Sequence, residues 1–228
     1  MSAVLPPRIE SELLERCPSF ATGALRCRVE PSRNRDAFAE ELAAAVSDAA
    51  AEPLSAIADH PVIAATRDLY RRCGKDPSRY RPAAEQLRRR AVRGAGPFPV
   101  HPLVDIINWL SLRTGFSISG VDAAALRGVI RWGIGRPGEP YEAIGRGPLN
   151  IAGLPVLRDD LGAFASPTSD SVRARIRDET RETLIVICAP AGPEGLAGAL
   201  EMARVALTAV LSATEIETHV VKGTMSNE

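Results

Sequence analysis

The chain of 228 residues carries 28 basic and 28 acidic side chains, and 45% of its residues are hydrophobic. Such a chain can bury the core of one large globular domain, and its balanced charge excludes the strong overall positive field of many nucleic-acid-binding proteins. No apolar run approaches the roughly 20 residues that span a bilayer. Charged residues near the N-terminus interrupt the apolar core that a signal peptide would need. We therefore expect a cytoplasmic protein.

The first part of the chain is predicted to be mainly helical. A short helix over residues 9–16 precedes residues 23–30, where apolar and polar side chains alternate as in a half-buried strand. Three helices are then expected, over residues 36–51, 60–73 and 82–90, because each begins at a capping residue or proline and keeps apolar residues at helical spacing.

A helix over residues 102–113 is the element around which the rest of the chain is interpreted. Pro102 suits its first turn, where the missing N–H would have no partner. Apolar residues recur at helical spacing from Leu103 to Leu110 and are expected to face the core. Gly115 ends the helix, because glycine adopts the left-handed conformation at little cost. A short strand over residues 116–119 follows.

The second half of the chain is predicted to consist mainly of strands. Their expected ranges are 129–134, 141–144, 154–157, 162–165, 184–188 and 216–221, and a helix begins at Pro193. We expect the first two strands to pair across a glycine- and proline-rich turn. The fully apolar fifth strand is expected at the centre of a sheet. The pattern predicts an α+β fold, with a mixed, mainly antiparallel sheet flanked by helices.

The charges are unevenly distributed along the chain. Residues 36–59 contain six acids and no Lys or Arg, whereas residues 70–93 contain nine basic residues and two acids. Two solvated faces would explain this pattern, and so would a basic surface that contacts nucleic-acid phosphates. The candidate phosphate-binding residues are Arg71, Arg72, Arg88, Arg89, Arg90 and Arg93.

The four cysteines and three histidines do not form a metal-binding pattern. The cysteines are scattered without a C-x-x-C pair, and the histidines are far apart in sequence. We therefore expect no metal site and no cofactor, and we expect buried or half-buried thiols in a reducing compartment.

The most polar loop spans residues 166–171, Ser-Pro-Thr-Ser-Asp-Ser, and follows a predicted strand. Hydroxyl groups and one carboxylate at a strand end can surround a small polar ligand. The same residue types also form ordinary turns, so a purely structural loop is the alternative. The candidates in this loop are Ser166, Thr168, Asp170 and Ser171.

Three polar residues belong to the predicted central helix or its start. Asn108 can hydrogen-bond a ligand, or it can be a buried amide that ties down a neighbouring loop. His101 is a candidate base or substrate-binding residue, although a histidine before proline at a helix start more often caps the helix. Asp105 is expected to be structural.

Three segments resemble the central motif of the B3/4 domain, the tRNA-binding editing module of the phenylalanyl-tRNA synthetase beta chain. They are PLVDIIN at residues 102–108, SLRTG at residues 111–115 and GVD at residues 120–122. Shorter matches at residues 70–72, 77–82 and 177–180 extend the resemblance over roughly residues 54–220.

The resemblance implies the same α+β class and a tRNA partner, and it places the central helix and the polar loop near an editing pocket. It divides the chain into an N-terminal strand–helix extension, residues 1–53, and a B3/4-like domain, residues 54–228. The pocket histidine of the synthetase domain falls on Ser119 here. Ser119 is therefore expected to bind substrate, and removal of tyrosine is not expected.

The expected function is hydrolysis, in trans, of the ester of a mischarged tRNA. This ester is already activated, so positioning it with a water suffices, without a triad or a metal. A buried Asp170 favours a polar or basic amino acid, such as the arginine look-alike canavanine. Asn108, Thr168 and Asp170 are the expected catalytic residues, and Ser119, Ser166, Ser171 and His101 are expected to bind substrate. The alternatives are a non-catalytic tRNA- or RNA-binding module and a small-ligand-binding protein.

Overall fold

The structure is a computed structural model that describes residues 4–30, 34 and 36–224. It confirms the predicted α+β class, with mixed and antiparallel sheets flanked by helices. The six helices of this part of the chain are α1 (Ser11–Arg16), α2 (Ala39–Ala50), α3 (Pro61–Arg72), α4 (Ala83–Val92), α5 (Pro102–Thr114) and α6 (Leu196–Leu211).

The predicted central helix is α5, and its ends are determined locally. His101 precedes it, and the Nδ1 atom of His101 accepts a hydrogen bond from the Leu103 N–H at 3.2 Å. Gly115 follows it with a φ of 77°, the left-handed conformation that the sequence predicted. The Asp105 carboxylate accepts the Val100 N–H at 3.1 Å, so its role is structural, as expected.

The ten strands of the described residues fall into three sheets. They are β1 (Val4–Ile9), β2 (Ala21–Arg28), β3 (Ser117–Asp122), β4 (Val129–Ile134), β5 (Glu142–Ala143), β6 (Gly147–Pro148), β7 (Pro155–Asp159), β8 (Gly162–Ala165), β9 (Glu182–Ala189) and β10 (Thr214–Lys222). One sheet has the order β10-β2-β9-β3, the second has the order β1-β4-β7-β8, and β5 pairs with β6 in a two-stranded sheet.

The apolar strand β9 lies inside the first sheet, between β2 and β3, as its composition predicted. Its alternate side chains enter two different cores. Ile185 and Ile187 pack beneath α5 and α6, whereas Leu184 and Val186 pack toward the second sheet. Burial on both faces is the physical reason for the uninterrupted apolar run.

Two strand predictions need correction. Residues 141–144 do not pair with β4; the partners of β4 are β1 and β7, and Glu142–Ala143 forms the small β5–β6 ribbon. Strand β1 was not predicted, because its prolines, Pro6 and Pro7, disfavour a strand. It lies at the edge of its sheet, where a missing N–H is tolerated.

The first 53 residues contribute β1, α1, β2 and α2, and β2 lies between β10 and β9. No helix among the described residues is long and apolar enough to cross a membrane. In the same part of the chain, no three side chains of the His, Cys, Asp or Glu type come together as a metal-binding group. All four thiols are free; Cys73 is half-buried and the other three are buried.

Candidate functional site

A cleft of about 470 Å³ opens between α5, α4 and the polar loop at residues 166–170. Strand β3 forms its floor, where Ile118 and Gly120 line it together with Ile107 of α5. A Cβ atom on Gly120 would lie 1.9 Å from the Cδ1 atom of Ile107, so glycine allows the strand to pack this close to the helix. The two segments singled out from the sequence therefore meet at one cleft.

Asp170 provides the carboxylate of the cleft. Its Oδ2 atom accepts a hydrogen bond from the Gly120 N–H at 3.3 Å, and the hydroxyl of Ser119 also donates to this carboxylate. Burial raises the pKa of Asp170 to about 7 because it disfavours the charged form, although both hydrogen bonds lower the pKa. Ser119 is buried and is absent from the cleft lining. It therefore affects the cleft only through its hydrogen bond to Asp170.

Asn108 lies on the cleft side of α5 and is half-buried. No hydrogen bond within the described part of the chain uses its carboxamide. The alternative in which Asn108 is a buried amide that ties down a neighbouring loop is therefore not supported. A carboxamide offers two donor hydrogens and one acceptor oxygen. This group is therefore available to a ligand.

The hydroxyls of the polar loop are engaged by the fold. The Thr168 hydroxyl donates to the Tyr80 carbonyl at 3.0 Å and lies 2.8 Å from the Tyr70 hydroxyl. The Ser166 hydroxyl donates to the Ser169 carbonyl at 2.9 Å and accepts two backbone N–H groups of the same turn. Both residues line the cleft. The expected catalytic role of Thr168 is disfavoured, because its hydroxyl is already bonded to the Tyr80 carbonyl and the Tyr70 hydroxyl.

Besides Ser119, two more predicted substrate-binding residues, Ser171 and His101, are not part of the cleft lining. The Ser171 hydroxyl accepts the Arg173 N–H at 3.3 Å and caps a short helical turn, Val172–Ala174. His101 caps α5, and its Nε2 atom lies 4.0 Å from a carboxylate oxygen of Asp178. The capping alternative for His101 is therefore the one that the structure shows.

The six predicted phosphate-binding arginines do not share one surface. Arg88 is buried, where it pairs with Glu52 and donates to the Leu112 carbonyl at 2.6 Å. Arg89 is bonded to the buried carboxylate of Glu85 at 2.8 Å. These two predictions are corrected, because the Arg88 guanidinium joins α4 to α5 and the Arg89 guanidinium is paired within α4. Arg71, Arg72 and Arg93 are exposed outside the cleft, and Arg90 alone of the six lines it.

Two further arginines, Arg146 and Arg175, line the cleft and were not predicted as site residues. Arg146 follows β5 and donates to the side chain of Gln86 on α4. Arg175 is exposed, and no ion pair within the described residues uses it. Its neighbour Arg173 points inward and pairs with Asp159 at 2.8 Å. The alternating arginines after the polar loop were the sequence signal that could have identified Arg175. Only the packing of the chain shows that Arg173 points inward and that Arg175 faces the cleft.

One comparison with known proteins, a family model, agrees with the motif. The sequence model of the B3/4 domain family matches residues 65–193. Among solved structures, an N-terminal fragment of the phenylalanyl-tRNA synthetase beta-subunit from Pyrococcus horikoshii is similar, with a TM-score of 0.49 and 10% identity. That alignment covers 99% of this chain and 58% of the fragment. Curated proteins give no match. With more than half of its residues matched by the family model, the chain belongs to the B3/4 domain family.

Proposed function

We propose that this protein is an aminoacyl-tRNA deacylase that acts in trans on a tRNA charged with a polar or basic amino acid. The observation that carries the proposal is the cleft itself. It combines the Asp170 carboxylate, the unengaged carboxamide of Asn108 and a basic rim formed by Arg90, Arg146 and Arg175.

Asp170 is proposed to bind the side chain of the amino acid. Its pKa of about 7 reflects the cost of ionising a carboxylate in this environment. A cation beside Asp170 offsets that cost and keeps the carboxylate ionised, whereas an apolar side chain leaves it unpaired. This selectivity favours an arginine-like amino acid such as canavanine over tyrosine.

Asn108 is proposed to orient the ester. Its amide can donate to the ester carbonyl oxygen while a water attacks the carbonyl carbon. The bond between that carbon and the ribose oxygen then breaks, and the released hydroxyl takes up the proton that the water loses. Because the ester is activated, correct positioning supplies much of the required acceleration. Thr168 holds the loop through its hydrogen bonds to Tyr70 and Tyr80.

The basic rim is proposed to contact the phosphates at the 3′ end of the tRNA. Arginine suits this role because its planar guanidinium group can form two hydrogen bonds to a phosphate. Arg90, Arg146 and Arg175 all line the cleft, so a bound 3′ end would leave its ester near Asn108. This set replaces Arg88 and Arg89, which the fold uses internally.

Incubation with a panel of mischarged tRNAs tests the proposal. We expect hydrolysis of tRNA carrying canavanine, little hydrolysis of tRNA carrying tyrosine, and loss of activity in Asp170→Asn and Asn108→Ala. A variant with Gln at positions 90, 146 and 175 should bind tRNA more weakly and with a shallower salt dependence. Arg136→Gln is the matched control, because Arg136 is exposed outside the cleft lining.

A non-catalytic tRNA-binding module is the second candidate. It is favoured by the engagement of the Ser166 and Thr168 hydroxyls, which leaves neither available as a nucleophile. Salt-dependent tRNA binding without hydrolysis of any ester in the panel would establish this second function. Absence of both activities in a folded protein would instead point to a small ligand.

A further inference from the structure

The mouth of the cleft carries apolar side chains that the proposed function does not use. Val100, in the loop between α4 and α5, and Ile144, which follows β5, line the cleft and are 54% and 44% exposed. Phe98 lies two residues before Val100 and is 63% exposed. Single exposed apolar side chains are common on proteins, but these three belong to the two segments that border one cleft. We name Phe98, Val100 and Ile144 the apolar rim.

Phe98 is the one exposed aromatic side chain in the part of the chain that the structure describes. Pro99 follows it, and the residue before a proline is pushed toward an extended conformation. Side chains two residues apart in an extended segment point to the same side, so Phe98 lies on the side of the loop where Val100 lines the cleft. Its ring packs against the backbone of Gly96, where an added Cβ atom would lie 3.0 Å from the Cδ2 atom of Phe98.

The loop that carries the ring is fixed at both ends. The Arg90 guanidinium donates two hydrogen bonds to the Ala95 carbonyl, at 3.2 and 3.1 Å. At the other end, the Val100 N–H donates to the buried Asp105 carboxylate at 3.1 Å. The exposed ring is therefore held at the mouth of the cleft before any ligand binds, so little conformational entropy is lost when it makes a contact.

The charges around the apolar rim suit a polyanion. No acid occurs in the sequence between Glu85 and Asp105, and both of these carboxylates are buried. Arg90 and Arg146 line the same cleft, and the bonds of Arg90 to its own loop leave its Nη1 hydrogens for a phosphate. An apolar peptide would gain nothing from these cations, whereas an unpaired segment of nucleic acid offers both flat bases and phosphates.

We propose that the Phe98 ring is a stacking platform for an unpaired base at the 3′ end of the tRNA, with Val100 and Ile144 as apolar contacts beside it. The inference rests on the proposed function, because it assigns a further contact to the same tRNA. Sites for single-stranded nucleic acid combine aromatic rings, on which any base stacks, with arginines that contact the backbone. The Ile144 N–H donates to the Asp170 carbonyl at 2.9 Å, so the apolar rim is joined directly to the loop that holds the proposed amino-acid contact.

Binding of an uncharged acceptor-stem hairpin with the unpaired 3′ nucleotides of tRNA tests the inference. It is compared with hairpins in which one of these nucleotides lacks its base but keeps its phosphate. We expect that removal of the stacked base weakens binding to the wild type by about 5-fold to 100-fold. The same removal should leave binding to Phe98→Ala unchanged, because this variant has no ring on which the base can stack.

Replacements of the ring separate stacking from other contacts. Phe98→Leu keeps an apolar side chain without a ring, so it should bind the intact hairpin as weakly as Phe98→Ala. Neither variant should change the salt dependence of binding, whereas replacement of Arg90 and Arg146 by Gln should flatten it. Leu161→Ala is the matched control and should bind as the wild type does, because Leu161 is 62% exposed and lies outside the cleft lining.

Phe98→Trp supplies an independent measurement. A tryptophan ring also stacks on bases, so this variant should keep the affinity of the wild type, and the stacked base should quench its emission. The abasic hairpin that binds the wild type weakly should produce less quenching when it saturates the variant. Trp109 and Trp132 lie outside the cleft lining and contribute a constant background.

Three results would overturn the inference: a wild type that binds no hairpin, a Phe98→Leu variant that binds as the wild type does, or an equal loss for intact and abasic hairpins in Phe98→Ala. In the last case Phe98 would support the loop without stacking on a base. These failures differ from failure of the proposed function. Base-dependent binding through Phe98 without hydrolysis of any ester would support the platform and refute the deacylase. Hydrolysis with unchanged affinity in Phe98→Ala would do the reverse.

Discussion

Replacement of Asp170 by Asn is expected to stabilise the folded protein at neutral pH while it removes the proposed substrate contact. The carboxylate has a pKa of about 7 in the folded chain, against an ordinary value of 3.8. The folded state therefore binds more protons than the unfolded state between these two pH values. Stability from the protonated carboxyl is fully present below pH 3.8 and is lost as pH rises through about 7.

The expected magnitude follows from this difference in pKa. A pKa change of one corresponds to about 1.4 kcal/mol, so the change from 3.8 to about 7 costs the folded state about 4 kcal/mol above neutral pH. This figure is an upper limit, because Asp170 is half-buried and water in the cleft screens its charge. Asn keeps an oxygen that can accept the Gly120 N–H but carries no charge.

Urea unfolding of the wild type and Asp170→Asn at about pH 4 and about pH 8 measures the effect. The difference between the two proteins isolates Asp170, since every other group is common to both. We expect a small difference at the lower pH and a gain of about 2 to 4 kcal/mol for the variant at the higher pH. The control is Asp76→Asn, because exposed Asp76 accepts the Ser78 N–H at 2.8 Å and Asn caps such a turn equally well.

A result in which Asp170→Asn destabilises the protein equally at both pH values would refute the reasoning. Asp170 would then be an ordinary turn-capping residue whose charge the fold uses. The proposed function would lose its main support, because a carboxylate that is stable in its ionised form needs no cationic ligand to offset the cost of burial.

Two further outcomes are expected. Arg88→Ala should lower the free energy of unfolding by about 1 to 3 kcal/mol in a urea titration, because it leaves the buried Leu112 carbonyl without its partner and removes the ion pair with Glu52. Arg93→Ala, at an exposed position, should change it by less than about 0.5 kcal/mol, and equal effects would show that burial does not distinguish the two. Deacylation should survive a zinc-selective chelator such as phenanthroline, with Mg²⁺ retained for the tRNA. The reason is that the described residues bring no group of three His, Cys, Asp or Glu side chains together. Loss of activity that zinc restores would contradict this expectation.

Local signals in the sequence were sufficient for the elements around the cleft. Pro102 and Gly115 mark the two ends of α5 through backbone preferences that involve no distant residue. The apolar run of β9 predicted a strand at the centre of a sheet, and it lies between two others. The motif on α5 and β3 identified the family, because its residues are close together in sequence.

Tertiary structure decided the strand pairing and the direction of individual side chains. Consecutive helical residues point about 100° apart, so Arg88, Arg89 and Arg90 cannot share one surface. Which of them faces Glu52, which faces Glu85 and which faces the cleft depends on how α4 packs against distant segments. Likewise, local patterns placed Asn108 and Asp170 in separate elements, and only the family resemblance indicated that these elements meet at a pocket. The packing of the loop against β3 and α5 decides that the Asp170 carboxylate and the unengaged Asn108 amide line the same cleft. Contacts between residues far apart in sequence determine both outcomes, and local backbone preferences carry no information about them.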